Sequence, residues 1–224
     1  MKLVISLGGS RVVPNKIDYE FLKSFKKVIN KIKKRNKIVV VVGGGSVARK
    51  YINTLKKEKL DKKKLSFLGF ETTRLNAMLV SNFIGANSSA PESLREVNKL
   101  LKRNNVVVTG AVEFKPKMTS DGTAADIAKS IKADAFVNVT NVKGLFDKNP
   151  KKYKTAKFIP EISFKDFSKI VNKLKFKPGQ NFVLDQSAAK VISKEKIKTY
   201  ITKNIEDLSK IIKKEKFTGT LIHD

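Results

Sequence analysis

The sequence has no cysteine, and its only histidine is His223. The absence of cysteine excludes disulfides and thiolate metal sites, and a lone histidine so near position 224 does not support a histidine-built metal or catalytic site. Any chemistry must therefore use lysine, arginine, aspartate, serine, threonine and backbone groups.

Long hydrophobic runs are also absent. No stretch approaches the roughly 18 apolar residues that a membrane span requires. The opening "MKLVISLGGS" contains a short apolar run that ends in glycines, too short for the hydrophobic region of a secretion signal. We therefore expect a cytoplasmic protein with no membrane partner.

Acidic residues are scarce: 20 Asp and Glu face 48 Lys and Arg, which gives a net charge of +28. Such a charge favours nucleic acid as a partner. However, 42 of the basic residues are lysines spread over most polar segments, whereas specific phosphate and base recognition relies on arginine. The pattern indicates a lysine-rich composition, and a basic nucleic-acid-binding protein remains the alternative from a different functional class.

Apolar runs alternate with amphipathic stretches along the whole chain. Strands are predicted at "KLVISLGG", "KIVVVVGGG", "NVVVTGA", "AFVNVTNV" and "TGTLIHD". Helices are predicted at "DYEFLKSFKKVINKIKKRN", "SVARKYINTLKKEKL", "FLGFETTRLNAMLVSNFIG", "PESLREVNKLLKRN", opened by Pro91, and "SDGTAADIAKSIKA", opened by Ser120 or Asp121. The lysine-rich stretches 56–66 and 147–157 are predicted as exposed loops. This order is typical of an α/β fold with a mostly parallel sheet covered on both faces.

Two glycine turns follow the first two strands: Gly8, Gly9 and Ser10 after the first, and residues 43–45 after the second. Glycine allows close approach of the backbone to a ligand, and N–H groups at a helix start favour an anion. With Arg49 one turn into the second helix, the pair of turns predicts a phosphate site. Neither the dinucleotide fingerprint nor the P-loop spacing is present.

Two further loops carry candidate residues. Asp121 is either an ordinary helix N-cap or a carboxylate that holds Mg²⁺ or orients basic side chains around a phosphoryl group. Phe146 is either a buried loop anchor or an aromatic that stacks on a base. The residues themselves leave both pairs of alternatives open.

The motifs "LGGS", "VVVGGGSVARKY", "FLGFETTRLNAML", "MTSDGTAADIAKSIKAD", "TNVKGLFDKNPKK" and "LDQSAAKVI" occur in this order. Together they resemble the archaeal-type uridylate kinases of the amino acid kinase superfamily. The resemblance implies a three-layer α/β/α sandwich in a single domain over 1–224, with the acceptor-site part mainly in 1–120 and the nucleotide-donor part mainly in 121–224. It also implies a homohexamer that transfers the γ-phosphoryl group of ATP to UMP with Mg²⁺, for pyrimidine nucleotide synthesis.

The resemblance also implies roles for individual residues. The catalytic set is Asp121, Arg49, Gly9 and Ser10, with no dedicated metal ligand. The ATP-binding set is Gly9, Ser10, Gly45, Arg49, Thr140, Phe146 and Asn149. The UMP-binding set is Gly44, Ser66, Arg74, Phe114, Lys115, Pro116, Lys117, Met118, Thr119 and Ser120.

The chain departs from the family pattern at several positions. Ser6 stands where many relatives have a lysine and some archaeal members an acidic residue, and Ser66 replaces an aspartate that usually binds the ribose of UMP. Lys143 and Asn149 replace acidic residues in the adenine-side loop. The alternative acceptor is therefore another small phosphate, carbamate or carboxylate, phosphorylated by an enzyme of the same fold.

Overall fold

The structure is a computed structural model that describes residues 1–114, 119–148, 150, 153–173 and 184–224. Its strands are β1 (Lys2–Leu7), β2 (Lys37–Val42), β3 (Val106–Thr109), β4 (Ala135–Val139), β5 (Leu145–Phe146), β6 (Phe158–Ile159), β7 (Glu161–Ile162), β8 (Thr199–Thr202) and β9 (Gly219–Ile222). Its helices are α1 (Gly9–Val12), α2 (Tyr19–Ile32), α3 (Gly45–Lys56), α4 (Lys62–Ile84), α5 (Leu94–Arg103), α6 (Ser120–Ser130), α7 (Phe164–Lys173), α8 (Gln186–Lys194) and α9 (Asp207–Ile212).

Seven of these strands form one sheet in the order β3-β2-β1-β4-β8-β9-β7. Five neighbouring strands are mutually parallel: β3, β2, β1, β4 and β8. The next strand, β9, runs antiparallel to β8. The last residue of β1, Leu7, pairs with Val42 of β2 and Val139 of β4. The loops that follow β1, β2 and β4 therefore leave the sheet side by side, where ligands of such sheets bind.

Helices cover both faces of the sheet, each over its own buried cluster. Leu3, Ile5 and Leu7 of β1 point to one face and pack with α2, α4 and α9. Val4 points to the other face, where the buried side chains of α5, α6, α7 and α8 lie. Alternate residues of a strand point to opposite faces, so Ser6 lies on the same side as α6. The predicted three-layer α/β/α fold with a mostly parallel sheet is confirmed.

One helix start and one helix cap differ from the predictions because local side-chain hydrogen bonds decide them, while α6 begins at Ser120, as predicted. α5 begins at Leu94, since the Ser93 side chain accepts from the backbone N–H of Glu96, and Pro91 lies outside the helix. α6 is capped by Thr119, whose side chain accepts from the N–H of Gly122. The alternative in which Asp121 is the N-cap is therefore wrong, and its carboxylate is available for another partner.

One predicted loop is largely helical. Asp61 accepts from the N–H of Lys64 and starts α4 at Lys62, so the second half of the lysine-rich stretch 56–66 belongs to that helix. Across the described part of the chain, no helix is both long and apolar enough to cross a membrane.

Candidate active site

The two predicted glycine turns lie in direct contact. A Cβ atom at Gly9 would be 2.3 Å from the carbonyl oxygen of Gly43 and from the nitrogen of Gly45. Gly45 has a φ of +62°, and a Cβ there would be 2.5 Å from the oxygen of Gly9. Both positions need glycine because the two backbones touch, and this requirement holds whether or not a phosphate is bound.

Side chains from two helices fix this pair of turns. Arg49 of α3 donates from Nη1 to Oγ of Ser10 over 3.0 Å, which brings two predicted ATP-binding residues together. The buried Asn76 of α4 donates from Nδ2 to the carbonyl of Gly43 over 2.9 Å. Ser120 at the start of α6 is also adjacent, since its Oγ is 3.3 Å from the Cβ position of Gly43. Residues predicted for the ATP side and residues predicted for the UMP side thus meet at one edge of the sheet.

Asp121 lies beneath this edge, next to β1. Oγ of the buried Ser6 donates a hydrogen bond of 2.5 Å to Oδ1 of Asp121. Burial raises the pKa of Asp121 to about 7, the Ser6 hydrogen bond acts in the opposite direction, and the nearby charge of Asp185 raises it again. The carboxyl group therefore changes its charge near neutral pH.

Asp185 joins the site from α8 and was missed by the sequence reasoning. Its Oδ1 accepts from the backbone N–H of Ala188 over 2.8 Å and from Oγ of Ser187 over 2.6 Å. Its Oδ2 accepts a hydrogen bond from Oγ1 of Thr119. An aspartate directly before a helical run signals an N-cap, but the sequence does not reveal that its second oxygen ties α8 to the start of α6.

An aromatic cluster borders the predicted acceptor loop. The ring of Phe114 lies edge-on to Phe67 and Phe70 of α4, with centroids 5.3 and 5.6 Å apart. Ser66, one residue before Phe67, donates from Oγ to the backbone oxygen of Lys62 over 2.7 Å. Four other predicted UMP-binding residues lie outside the described residues: Lys115, Pro116, Lys117 and Met118.

Arg74 lies on the same helix but is already engaged by acidic groups. Nη2 of Arg74 is 2.8 Å from Oε1 of Glu92, and its Nε is 3.8 Å from Oε2 of Glu71. Nη1 also donates to the carbonyl of Pro91 over 3.3 Å. The two carboxylates offset its positive charge, so Arg74 contributes less charge to the acceptor side than the sequence implied.

The residues predicted to bind ATP beyond the glycine turns follow β4. Thr140 follows β4 directly and donates from its backbone N–H to the carbonyl of Thr202 over 2.9 Å. Phe146 pairs with Phe158 across the two-stranded ladder of β5 and β6, with ring centroids 5.5 Å apart, and stays half-buried. Asn149 lies outside the described residues.

The described residues include no group of three His, Cys, Asp or Glu side chains arranged to hold a metal. In phosphoryl-transfer sites Mg²⁺ is usually held by one or two carboxylates together with substrate phosphates and water. Asp121 and Asp185, close enough for their charges to interact, form a donor set that fits this mode of binding.

Comparisons with known proteins match most or all of the chain. The sequence profile of the amino acid kinase family matches residues 1–203. The chain is 39% identical to the uridylate kinase of Archaeoglobus fulgidus (99% of this chain, 100% of the relative) and 35% identical to that of Thermococcus kodakarensis (99% of each). The crystal structure of the A. fulgidus uridylate kinase superposes with a TM-score of 0.88 at 38% identity, over 99% of this chain and 100% of that one. A Bacillus anthracis UMP kinase structure matches with a TM-score of 0.82 at 19% identity, over 100% of this chain and 96% of that one, and shows the shared fold.

Proposed function

Because the chain belongs to the amino acid kinase family, we propose that it is a uridylate kinase, which transfers the γ-phosphoryl group of ATP to UMP and gives UDP. Its relatives across several archaea carry that name at 33 to 39% identity over essentially the full chain. The observation that carries the proposal is the contact between Gly9 and the turn 43–45, because a donor site and an acceptor site then share one edge of the sheet.

Phosphoryl transfer depends on positioning and on charge neutralisation more than on a covalent residue. We assign the backbone of Gly9 and Gly45, with Ser10 and Arg49, to the phosphates of ATP. The backbone N–H of Gly44 then faces the phosphate of UMP. With the donor and acceptor turns in contact, the two phosphates approach each other closely enough for direct in-line transfer.

Asp121 is the proposed organising carboxylate of the reaction. With a pKa of about 7, the carboxyl group is about half ionised in neutral solution, and the ionised form can orient cationic groups around the phosphates. Together with Asp185 it would hold Mg²⁺ that arrives with ATP. When bound, the ion supplies positive charge that offsets the charge of the transferred phosphoryl group.

We propose that the acceptor pocket runs from the glycine turns along α4. We assign Ser66, Arg74, Phe114, Thr119 and Ser120 to its lining, and we also assign to UMP four residues outside the described part of the chain: Lys115, Pro116, Lys117 and Met118. The rings of Phe67, Phe70 and Phe114 provide an apolar surface on which a pyrimidine ring can pack. On the donor side, Thr140, Phe146 and Asn149 are proposed to hold the adenosine.

We also propose that the protein works as a cytoplasmic homohexamer in pyrimidine nucleotide synthesis. Self-association of a chain with a net charge of +28 needs a surface without that charge. The segment 65–98 contains no lysine, and within it Leu75 and Met78 of α4 are 56% and 45% exposed. They border a groove of about 680 Å³ with a mainly apolar lining, which fits a second copy of this chain.

Acceptor choice is tested by side-by-side turnover. Purified protein with ATP and Mg²⁺ is offered UMP, CMP, carbamate or isopentenyl phosphate at equal concentrations. The proposal expects the highest kcat/KM with UMP. A higher value with any other acceptor would assign the chain to a different kinase of the same family, and Ser66 would then be the first residue to examine.

A further inference from the structure

Arg11 lies next to Ser10 in the first glycine turn, and the proposed function gives it no role. Its guanidinium carbon is 4.7 Å from the ring centroid of Phe21, a cation–π contact. Its Nε atom is buried and has no hydrogen-bond partner in the described part of the chain. A buried nitrogen donor that makes no hydrogen bond is rare in proteins and calls for an explanation, of which a bound acceptor is one.

The side chain of Arg11 begins on the donor side of the sheet edge. Its Cγ is 4.0 Å from the Cβ position of Gly8, and that same position is 3.1 Å from the oxygen of Val139 and 3.9 Å from Cα of Thr140. Arg11 therefore lies beside the end of β4, where the ATP-binding residues are expected. Arg49 reaches Ser10 from α3, so two arginines approach the same turn.

The local charges leave a place for a further cation. Ser6 provides only a neutral hydrogen bond to Asp121. The chain has 42 lysines and 6 arginines, yet arginine occupies position 11. A guanidinium both stacks on an aromatic ring and binds phosphate oxygens through two N–H groups, which an ammonium cannot do.

We propose that Arg11 is a donor-phosphate-binding residue, whose guanidinium, held by Phe21, contacts the β- or γ-phosphate of ATP and supplies charge that Ser6 does not. The inference rests on the proposed function for the identity of the donor. It adds a residue on the donor side and does not depend on which acceptor is phosphorylated.

The test is calorimetric binding of ATP, ADP and AMP, without any acceptor, to the wild type and to Arg11→Ala. Arg35→Ala is the matched control, since Arg35 is exposed and lies just before β2, at the opposite edge of the sheet. We expect Arg11→Ala to weaken ATP binding about 10- to 100-fold, as the loss of a charge-assisted hydrogen bond does. AMP binding and the control should change little.

Two results would overturn the inference: ATP affinity unchanged in Arg11→Ala, or an equal loss for ATP and AMP, which would indicate a general packing defect. Thermal unfolding of each variant checks the fold. If Arg11→Ala does not fold, Arg11→Lys is measured in its place. We expect a several-fold loss of affinity for ATP alone, because the positive charge remains but the paired N–H groups of the guanidinium are lost. A wild type that binds ATP but does not phosphorylate UMP would refute the proposed acceptor and leave the Arg11 result standing.

Discussion

The hydroxyl of Ser6 donates a 2.5 Å hydrogen bond to the carboxylate of Asp121, which links the central strand to the first turn of α6. A neutral donor offsets the burial of a carboxylate only in part, whereas a cation would do so more fully. The pKa of Asp121 consequently stays high, at about 7. In this chain the charge of the proposed organising carboxylate is therefore sensitive to pH in the neutral range.

Replacing Ser6 by alanine should shift the pH dependence of turnover. The Ser6 hydrogen bond favours the ionised form, so its loss raises the pKa of Asp121 further. The pH at which kcat reaches half its plateau should move upward, and kcat at pH 7 should fall several-fold. Ser193→Ala serves as the control, because it removes a buried hydroxyl with no hydrogen-bond partner among the described residues. An unchanged profile in Ser6→Ala would show that Asp121 ionisation does not govern the rate.

Asp121→Asn should change how stability depends on pH in the metal-free protein. The folded pKa of about 7 lies above the ordinary value of 3.8, so the folded state holds a proton that the unfolded state has lost between these values. The contribution of Asp121 to the free energy of unfolding is fully present below pH 4 and is lost as the pH rises to about 7. Urea unfolding should show that wild type loses stability relative to Asp121→Asn across this window. A difference in the free energy of unfolding between the two proteins that does not change with pH would contradict the raised pKa.

Much of the fold could be predicted from local patterns. The valine-rich runs and the 3.6-residue spacing of Phe21, Phe25, Ile29 and Ile32 mark β2 and α2 without tertiary information. The short helices α1 and α9 and the two-residue strands β5, β6 and β7 were not predicted. Such short elements carry too little periodicity to be recognised in the sequence, and contacts with other parts of the fold decide where they form.

The site itself was predicted only in part, because its key contacts join distant segments. Glycines after two strands indicated a phosphate site, but their mutual contact depends on β1 and β2 being neighbours in the sheet. Similarly, the partners of Asp121 and Thr119 are Ser6 and Asp185, far away in sequence. The assignment of each predicted site residue to a ligand remains a prediction.

Gly44 tests the proposed division of the glycine turn between donor and acceptor. A Cβ at Gly44 would be 2.6 Å from Cβ of Ala48, so Gly44→Ala alone should cost about 1 to 3 kcal/mol of stability through overpacking. The double variant Gly44→Ala with Ala48→Gly removes that clash. We expect it to recover most of the stability and yet to keep a raised KM for UMP with a nearly unchanged KM for ATP. Ala48→Gly alone controls for the glycine in α3, and a double variant with wild-type KM for UMP would remove Gly44 from the acceptor site.

The exposed stripe on α4 predicts where copies of the chain associate. Leu75→Lys and Met78→Lys each place a charge on the exposed apolar surface of α4 and should shift the protein to smaller species. Light scattering coupled to size-exclusion chromatography measures the mass directly. Ser24→Lys, on the exposed face of α2, adds the same charge elsewhere and should leave the mass unchanged. Variants of α4 that keep the wild-type mass would place the interface on another surface.

Phosphorus NMR of a reaction containing the protein, ATP, Mg²⁺ and UMP follows both nucleotides at once and tests the central claim most directly. We expect the γ-phosphate signal of ATP and the phosphate signal of UMP to be lost in equal amounts as the α- and β-phosphate signals of ADP and UDP appear, without inorganic phosphate. In Asp121→Asn the same products should form far more slowly, with kcat reduced more than KM for UMP is raised. The absence of UDP, or the release of inorganic phosphate in its place, would contradict the assignment of this chain as a uridylate kinase.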